Sequence, residues 1–237
     1  MLKSRFQMLP DNVSNRFAPK EEVDVYPDIV ELMHRSMGSD GALITVQEFE
    51  GPIGVPDFVA VTHIRSEVAY RDFSALPLIE NRADAVLLAA VPIGRSVTSA
   101  TVARRLGIDE SLVTQKVNRL VNSGHLLISG KGLVRHPLMV PFGRINAFEG
   151  KVKDWQAALS QAFRYSLWTD SSTACMLRLP EEQDGAANLA SNLGVGLTLG
   201  SRWIVRPRSS RKNEGMRLFA SELLLARMQN QIETLQI

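Results

Sequence analysis

Three residues in two separate stretches have the types and spacing for hydrolytic chemistry. Asp57 lies in "VPDFVAV" (55–61), and Glu149 and Lys151 flank Gly150 in "AFEGKV" (147–152). Alternation along a strand sends Glu149 and Lys151 to the same side, and both stretches read as strands. Two carboxylates at neighbouring strand ends suit a hard, oxygen-seeking cation such as Mg²⁺ or Mn²⁺. A lysine beside them can hold or deprotonate an attacking water and stabilise negative charge developing on phosphorus. The alternative reading of the three is an exposed ion pair at a sheet end, worth little energy. On the helix predicted next, Gln161 and Tyr165 sit four residues apart and share a face.

Elements must position these residues. "YPDIVELMHRSMG" (26–38) predicts a short helix, with Pro27 and Asp28 suited to its first turn and Gly38 to its stop. "ALITVQEFEGPIGVPDFVAVTH" (42–63) predicts a hairpin around a Gly-Pro turn, with Glu48 and Glu50 facing solvent. "RINAFEGKV" (144–152) is a strand, and "DWQAALSQAFRYSLW" (154–168) a helix with Asp154 as N-cap. Strands follow in "STACMLRL" (172–179) and "GVGLTLGSRWIVRP" (194–207), and a long helix closes the chain over 215–237. Residues 64–78 fit no single state. The expected division is an arm over 1–19, a core in two halves (20–78 and 139–237, the latter with the C-terminal helix), and a helical insertion over 79–138. Without that insertion the order is αββ–βαβ, a mixed α/β unit around one sheet.

Composition narrows the classes. The 237 residues are 45% hydrophobic, enough for a substantial core. The apolar run "ADAVLLAAV" (83–91) is far too short to span a bilayer, and the N-terminus lacks a signal-type apolar region. A lone cysteine, Cys175, excludes an intramolecular disulfide and a thiolate zinc cage, so a cytoplasmic location away from membranes is expected. Net charge is only +2, yet residues 1–50 carry five basic against nine acidic residues, whereas 95–136 carry seven basic against two acidic. Residues 201–212 add five basic residues and no acid. Such asymmetry points to a polyanionic partner at particular faces.

The block 79–138 has its own pattern. "IENRADAVLLAAVPIG", "TSATVARRLG" and "IDESLVTQKVNRLVNSG" predict three helices, and "HLLISGKGLVRHP" a strand, a Gly-rich turn and a strand. With the tight turn "LGIDES" between its second and third helices, the block resembles the winged helix-turn-helix family. In the third helix Leu112, Val113, Val117, Leu120 and Val121 are expected to be buried. Ser111, Thr114, Gln115, Asn118 and Arg119 then face outward, able to reach base edges and phosphates of DNA. Lys131 at the wing tip and Arg135 after it are expected at phosphates. Winged helices with the same core also serve as protein–protein modules.

"PD" at 56–57, "EGK" at 149–151 and the Q-x-x-x-Y of "QAFRY" (161–165) together resemble the signature of the PD-(D/E)XK nuclease superfamily, in its RecB-like branch. The resemblance covers about residues 20–63 and 142–210. It implies a restriction-endonuclease-like αβββαβ core and a metal-dependent nuclease acting on DNA. Asp57 and Glu149 would bind Mg²⁺ or Mn²⁺, with the Gly150 carbonyl completing the coordination. Lys151 would be the catalytic lysine, and Gln161 and Tyr165 would support the site or touch nucleic acid. A further acid on the first helix is expected at Glu31, with Glu21, Glu22 and Asp24 as competitors. A catalytically inactive DNA-binding regulator on the same scaffold is the alternative, and a protein-interaction module a third.

Other features point elsewhere. His63, His125 and His136 lack metal-ligand spacing, and "LGVGLTLG" (193–200) lacks the lysine of a phosphate loop. In the closing helix Leu218, Leu225 and Ile232 recur every seven residues, with Met228 and Leu235 between them and Ser221 as a break. Phe219, Leu223 and Leu224 widen the stripe, so the helix is expected to pack on its own sheet. A homodimer stays open as a further partner, since a two-fold pair could cut both strands of a duplex.

Overall fold

A computed structural model describes residues 7–8, 23–37, 43–179, 183–209 and 213–235, with side chains described over 23–37, 43–179, 183–209 and 213–229. Apart from Gln7 and Met8, the arm expected over 1–19 lies outside the described residues, as do Glu21, Glu22, Gly38 and the side chains of Ile232 and Leu235. In chain order the elements are β1 (Gln7–Met8), a 3-10 turn (Val23–Val25), α1 (Tyr26–Met37), β2 (Ile44–Gln47), β3 (Phe58–Thr62), α2 (Ser66–Ala69), α3 (Arg82–Ala90), α4 (Ser99–Leu106) and α5 (Glu110–Asn122). They continue with β4 (Leu126–Ser129), β5 (Gly132–Arg135), β6 (Arg144–Lys151), α6 (Trp155–Tyr165), β7 (Ser171–Met176), α7 (Asp184–Leu193), β8 (Gly196–Leu199), β9 (Arg202–Val205) and α8 (Glu214–Leu235). The protein is mixed α/β. Two compact units divide it, one of residues 1–64 and 143–212, the other of 65–142 and 213–237.

The first unit is built on a sheet of order β1-β2-β3-β6-β7-β8-β9. β2, β3 and β6 form an antiparallel meander, β7 and β8 run parallel to β6, and β9 returns antiparallel. Helices cover both faces. On one side Ile29 of α1, with Leu32 and Met33 one helical turn further on, packs with Phe58, Ala60, Phe148 and Cys175. On the other, Leu159 and Ala162 of α6 and Ala186 and Ala190 of α7 pack with Ala174, Met176 and Leu197. Two-sided cover is why β7 is buried at every residue, as expected for a parallel interior strand. Helix α7 was not read from the sequence, because its "DGAANLASNL" mixes Ala and Leu with Gly, Asn, Asp and Ser. Two buried alanines and a left-handed cap at Gly194 (φ 72°) define it instead.

In the second unit, α3, α4 and α5 begin at the capping side chains of Asn81, Thr98 and Asp109, and β4 and β5 form a hairpin closed at Gly130. Val97 exchanges both backbone hydrogen bonds with Leu133, adding a third edge to the hairpin. Val113, Val117 and Leu120 of α5 are buried and Val121 is half-buried. Leu112 corrects the expectation: it is 55% exposed, because it falls about a quarter-turn off that stripe.

Helix α8 corrects another. It belongs to the second unit, not to the core sheet. Leu218 joins the core of α3, α4 and α5, and Gly215 lets the two backbones approach, since a side chain there would meet the Val86 Cα at 2.5 Å. Ser221, which breaks the heptad pattern, accepts a hydrogen bond from the Phe142 amide at 3.0 Å. No helix among the described residues is long and apolar enough to cross a membrane.

Candidate active site

β6 delivers Glu149 and Lys151 by alternation, and Asp57 arrives at the end of the long β2–β3 loop. That loop is held by aromatic rings. Trp168 Nε1 donates to the Ile53 carbonyl at 3.1 Å, and its ring packs on Phe49. Gly51 and Gly54 are required here: a side chain at Gly51 would strike the Trp168 ring at 2.6 Å, and one at Gly54 the Tyr165 ring at 2.7 Å. Gly54 also has φ 74°. The "GPIG" turn of the sequence is thus a fit to α6 and the turn after it.

Both carboxylates are fixed. Asp57 Oδ2 accepts from the Gly150 amide at 2.6 Å, and Oδ1 from the Tyr26 hydroxyl at 3.2 Å. Glu149, only 2% exposed, accepts from the Tyr165 hydroxyl at 2.8 Å and pairs with Lys151 Nζ at 3.3 Å. Tyr165 Oη also lies 3.1 Å from the Val55 carbonyl, so one proton faces two acceptors. Burial, with the Asp57 charge second, pushes the Glu149 carboxyl from 4.5 up to about 7 against the pull of Lys151 and Tyr165. Burial and the adjacent carboxylates push both tyrosine hydroxyls above their usual range, keeping them protonated donors. Lys151 is largely covered, so the three signature residues form an enclosed cluster rather than an exposed ion pair.

A divalent cation fits this donor set. Two carboxylates sit beside a single lysine, and burial first and the Asp57 charge second raise the Glu149 carboxyl. Among the described residues no three His, Cys, Asp or Glu side chains gather as a metal cage. Mg²⁺ commonly takes only one or two carboxylates and completes its shell with water and substrate phosphate. Asp57, Glu149 and the Gly150 carbonyl are the groups that would hold it.

Of the supporting residues, Tyr165 is in place. Gln161 lies one turn before it, with a buried Oε1 that lacks a hydrogen-bond partner. Glu31 is not brought in: it is exposed and paired with Arg35, which also reaches Ser201. The α1 residue that hydrogen-bonds to the site is Tyr26, which falls between Asp24 and Glu31 among the acids considered there. Its signal was an aromatic at the helix start, indistinguishable in sequence from a core residue. Glu48 also departs from its expected place in solvent. Its Oε1 is buried without a partner, its φ is 47°, and its amide donates to the Asp57 carbonyl at 2.8 Å.

Within the second unit, Ser111, Gln115 and Asn118 are exposed on α5. Thr114 is exposed too, with its hydroxyl donated to the Glu110 carbonyl at 2.9 Å. Arg119 is exposed as well and also pairs with the buried Asp84 of α3, which Lys116 approaches at 3.4 Å. Lys131 is exposed at the hairpin turn, whereas Arg135 pairs with Leu126 at the far end of the hairpin and is half-buried. Burial lowers the Arg135 guanidinium, opposed by Glu214. A cleft of about 590 Å³ separates α5 from the hairpin, with Asn118, Asn122, Lys131 and Ser99 among its lining. Ser99 and Asn122 were not singled out in the sequence.

No protein-family model, curated protein or solved structure matches this chain.

Proposed function

We propose that the protein is a metal-dependent DNA nuclease of PD-(D/E)XK type, with residues 79–138 forming a winged-helix DNA-binding module. The observation that carries this reading is the convergence of Asp57 with Glu149 and Lys151 from stretches 92 residues apart, clasped by the 2.6 Å bond from the Gly150 amide to Asp57. The element order supports it: one helix, a three-stranded antiparallel meander, a crossover helix and a parallel strand match the restriction-endonuclease-like αβββαβ pattern. Three helices and a hairpin with an exposed lysine at its turn support the DNA-binding half.

When bound, the cation supplies Lewis-acid charge to the phosphodiester oxygens. The chain's own residues do the rest. The Gly150 amide holds one oxygen of Asp57, and the Tyr165 hydroxyl holds Glu149. Lys151 lends positive charge where the pentavalent phosphorus gathers negative charge, and it orients the water beside Glu149. Ser111, Gln115, Asn118 and Lys131 hold the duplex by groove and phosphate contacts.

One observation favours the inactive DNA-binding alternative. All four carboxylate oxygens already accept an internal hydrogen bond or ion pair, as in a purely structural network. Incubating the full chain with plasmid, linear duplex and single-stranded DNA, with Mg²⁺ or Mn²⁺ and with chelator, separates the two. Cation-dependent cleavage supports the nuclease; salt-sensitive binding without cleavage at any cation concentration supports the regulator.

A further inference from the structure

Asp57 is held by more than the strand that carries it. Its amide segment is anchored where the Glu48 N–H donates to the Asp57 carbonyl at 2.8 Å. One carboxylate oxygen is anchored by the Gly150 N–H. With only that contact the carboxylate could pivot about the bonded oxygen. The second oxygen is anchored from a different layer of the fold, by the Tyr26 hydroxyl at the start of α1. Tyr26 itself has little freedom. It is 7% exposed, and its ring stands edge-on to Phe58, the residue after Asp57, at 4.9 Å and 81°.

We infer that Tyr26 is a positioning residue of the site, fixing the Asp57 carboxylate in the one orientation that faces Glu149 and Lys151. The inference rests on the nuclease reading above. The groups that face its hydroxyl are the Asp57 and Glu48 carboxylates and the Gln47 side chain. The hydroxyl donates to Asp57 Oδ1, so Tyr26 acts as a donor and not as a base. The arrangement mirrors Tyr165 on Glu149: each carboxylate takes one hydroxyl from a helix, α1 on one face of the sheet and α6 on the other. Groups that orient a metal-binding carboxylate typically govern 10- to 100-fold in metal affinity or activity.

The test is Mn²⁺ binding to the DNA-free full chain by titration calorimetry, beside single-turnover cleavage, for wild type, Asp57→Asn, Tyr26→Phe and Tyr26→Leu. Tyr26→Phe keeps the ring on Phe58 and removes only the hydroxyl. Mn²⁺ affinity and the cleavage rate are expected to fall about 10- to 100-fold while the KM for DNA and the unfolding temperature hold. Tyr26→Leu is expected to lose affinity to the same extent and to lose stability as well. If Asp57→Asn abolishes Mn²⁺ binding and Tyr26→Phe binds like wild type, the metal site stands and the role of Tyr26 is overturned. If wild type binds no Mn²⁺, the metal reading fails and takes this role with it.

Discussion

Each unit buries a cluster of charges, and the two clusters are built on opposite principles. In the second unit Arg71 and Glu222 are both fully enclosed. Arg71 reaches both oxygens of Glu222 and the Pro77 carbonyl, and the Ile79 amide donates to Glu222 at 3.0 Å. One positive charge meets one negative charge with further hydrogen bonds around them, the condition under which a buried pair persists. In the first unit two carboxylates meet one lysine, and Glu149 is pushed up to about 7. Burial alone does not mark a site; an unbalanced burial does, because it holds a free-energy gap that a cation or substrate can close.

The largest expected effect tests the unbalanced cluster. Lys151→Ala, Asp57→Ala and Glu149→Ala should each lower cation-dependent cleavage on the order of a hundredfold or more, with the far-ultraviolet circular dichroism unchanged. Full activity in Lys151→Ala would remove the assignment. Breaking the balanced cluster should act on stability instead: Glu222→Ala leaves Arg71 buried and unpaired, costing about 3–5 kcal/mol in urea unfolding. Replacing both partners, Arg71→Met with Glu222→Leu, should recover most of that loss. A double variant as unstable as the single one would show that the pair contributes more than mutual neutralisation.

A smaller effect sharpens the contrast through pH. The Glu149 carboxyl is raised in the folded state, from 4.5 to about 7. The folded protein therefore holds its proton more tightly than the unfolded chain. Stability from this group is complete below about 4.5 and is lost as pH rises through about 7. In chelator at pH 8, Glu149→Gln should unfold at higher urea than wild type, and the difference should vanish at pH 4. A variant less stable than wild type at pH 8 would mean that Lys151 and Tyr165 outweigh burial and the repulsion from Asp57. The smallest effect concerns two basic residues of the hairpin. Lys131→Ala should lower the slope of log affinity for DNA against log salt by about one, whereas Arg135→Ala should leave it unchanged. Equal slopes for Lys131→Ala and wild type would move the hairpin turn off the phosphates.

The sequence by itself determined the features whose cause is local. Period-2 alternation put Glu149 and Lys151 together, the capping residues Asp109 and Asp154 started helices, and Gly107 ended one in the left-handed region. Only the tertiary structure decided matters that depend on which neighbour lies across a gap. Arg119 faces outward as the helical pattern implies, but its ion pair with Asp84 on another helix is not written in that pattern, and Arg135 reads as a wing residue until the register sets it opposite Leu126. Glu31 and Tyr26 lie on the same short helix, yet one pairs with Arg35 and the other reaches Asp57. Helix α8 shows the same limit at larger scale: an apolar stripe records that a helix is covered, and the close approach at Gly215 decides by what. Periodicity and capping act within a few residues of chain, so sequence carries them directly. Pairing across layers depends on side chains brought together from distant positions, and the pattern of any single segment leaves that open.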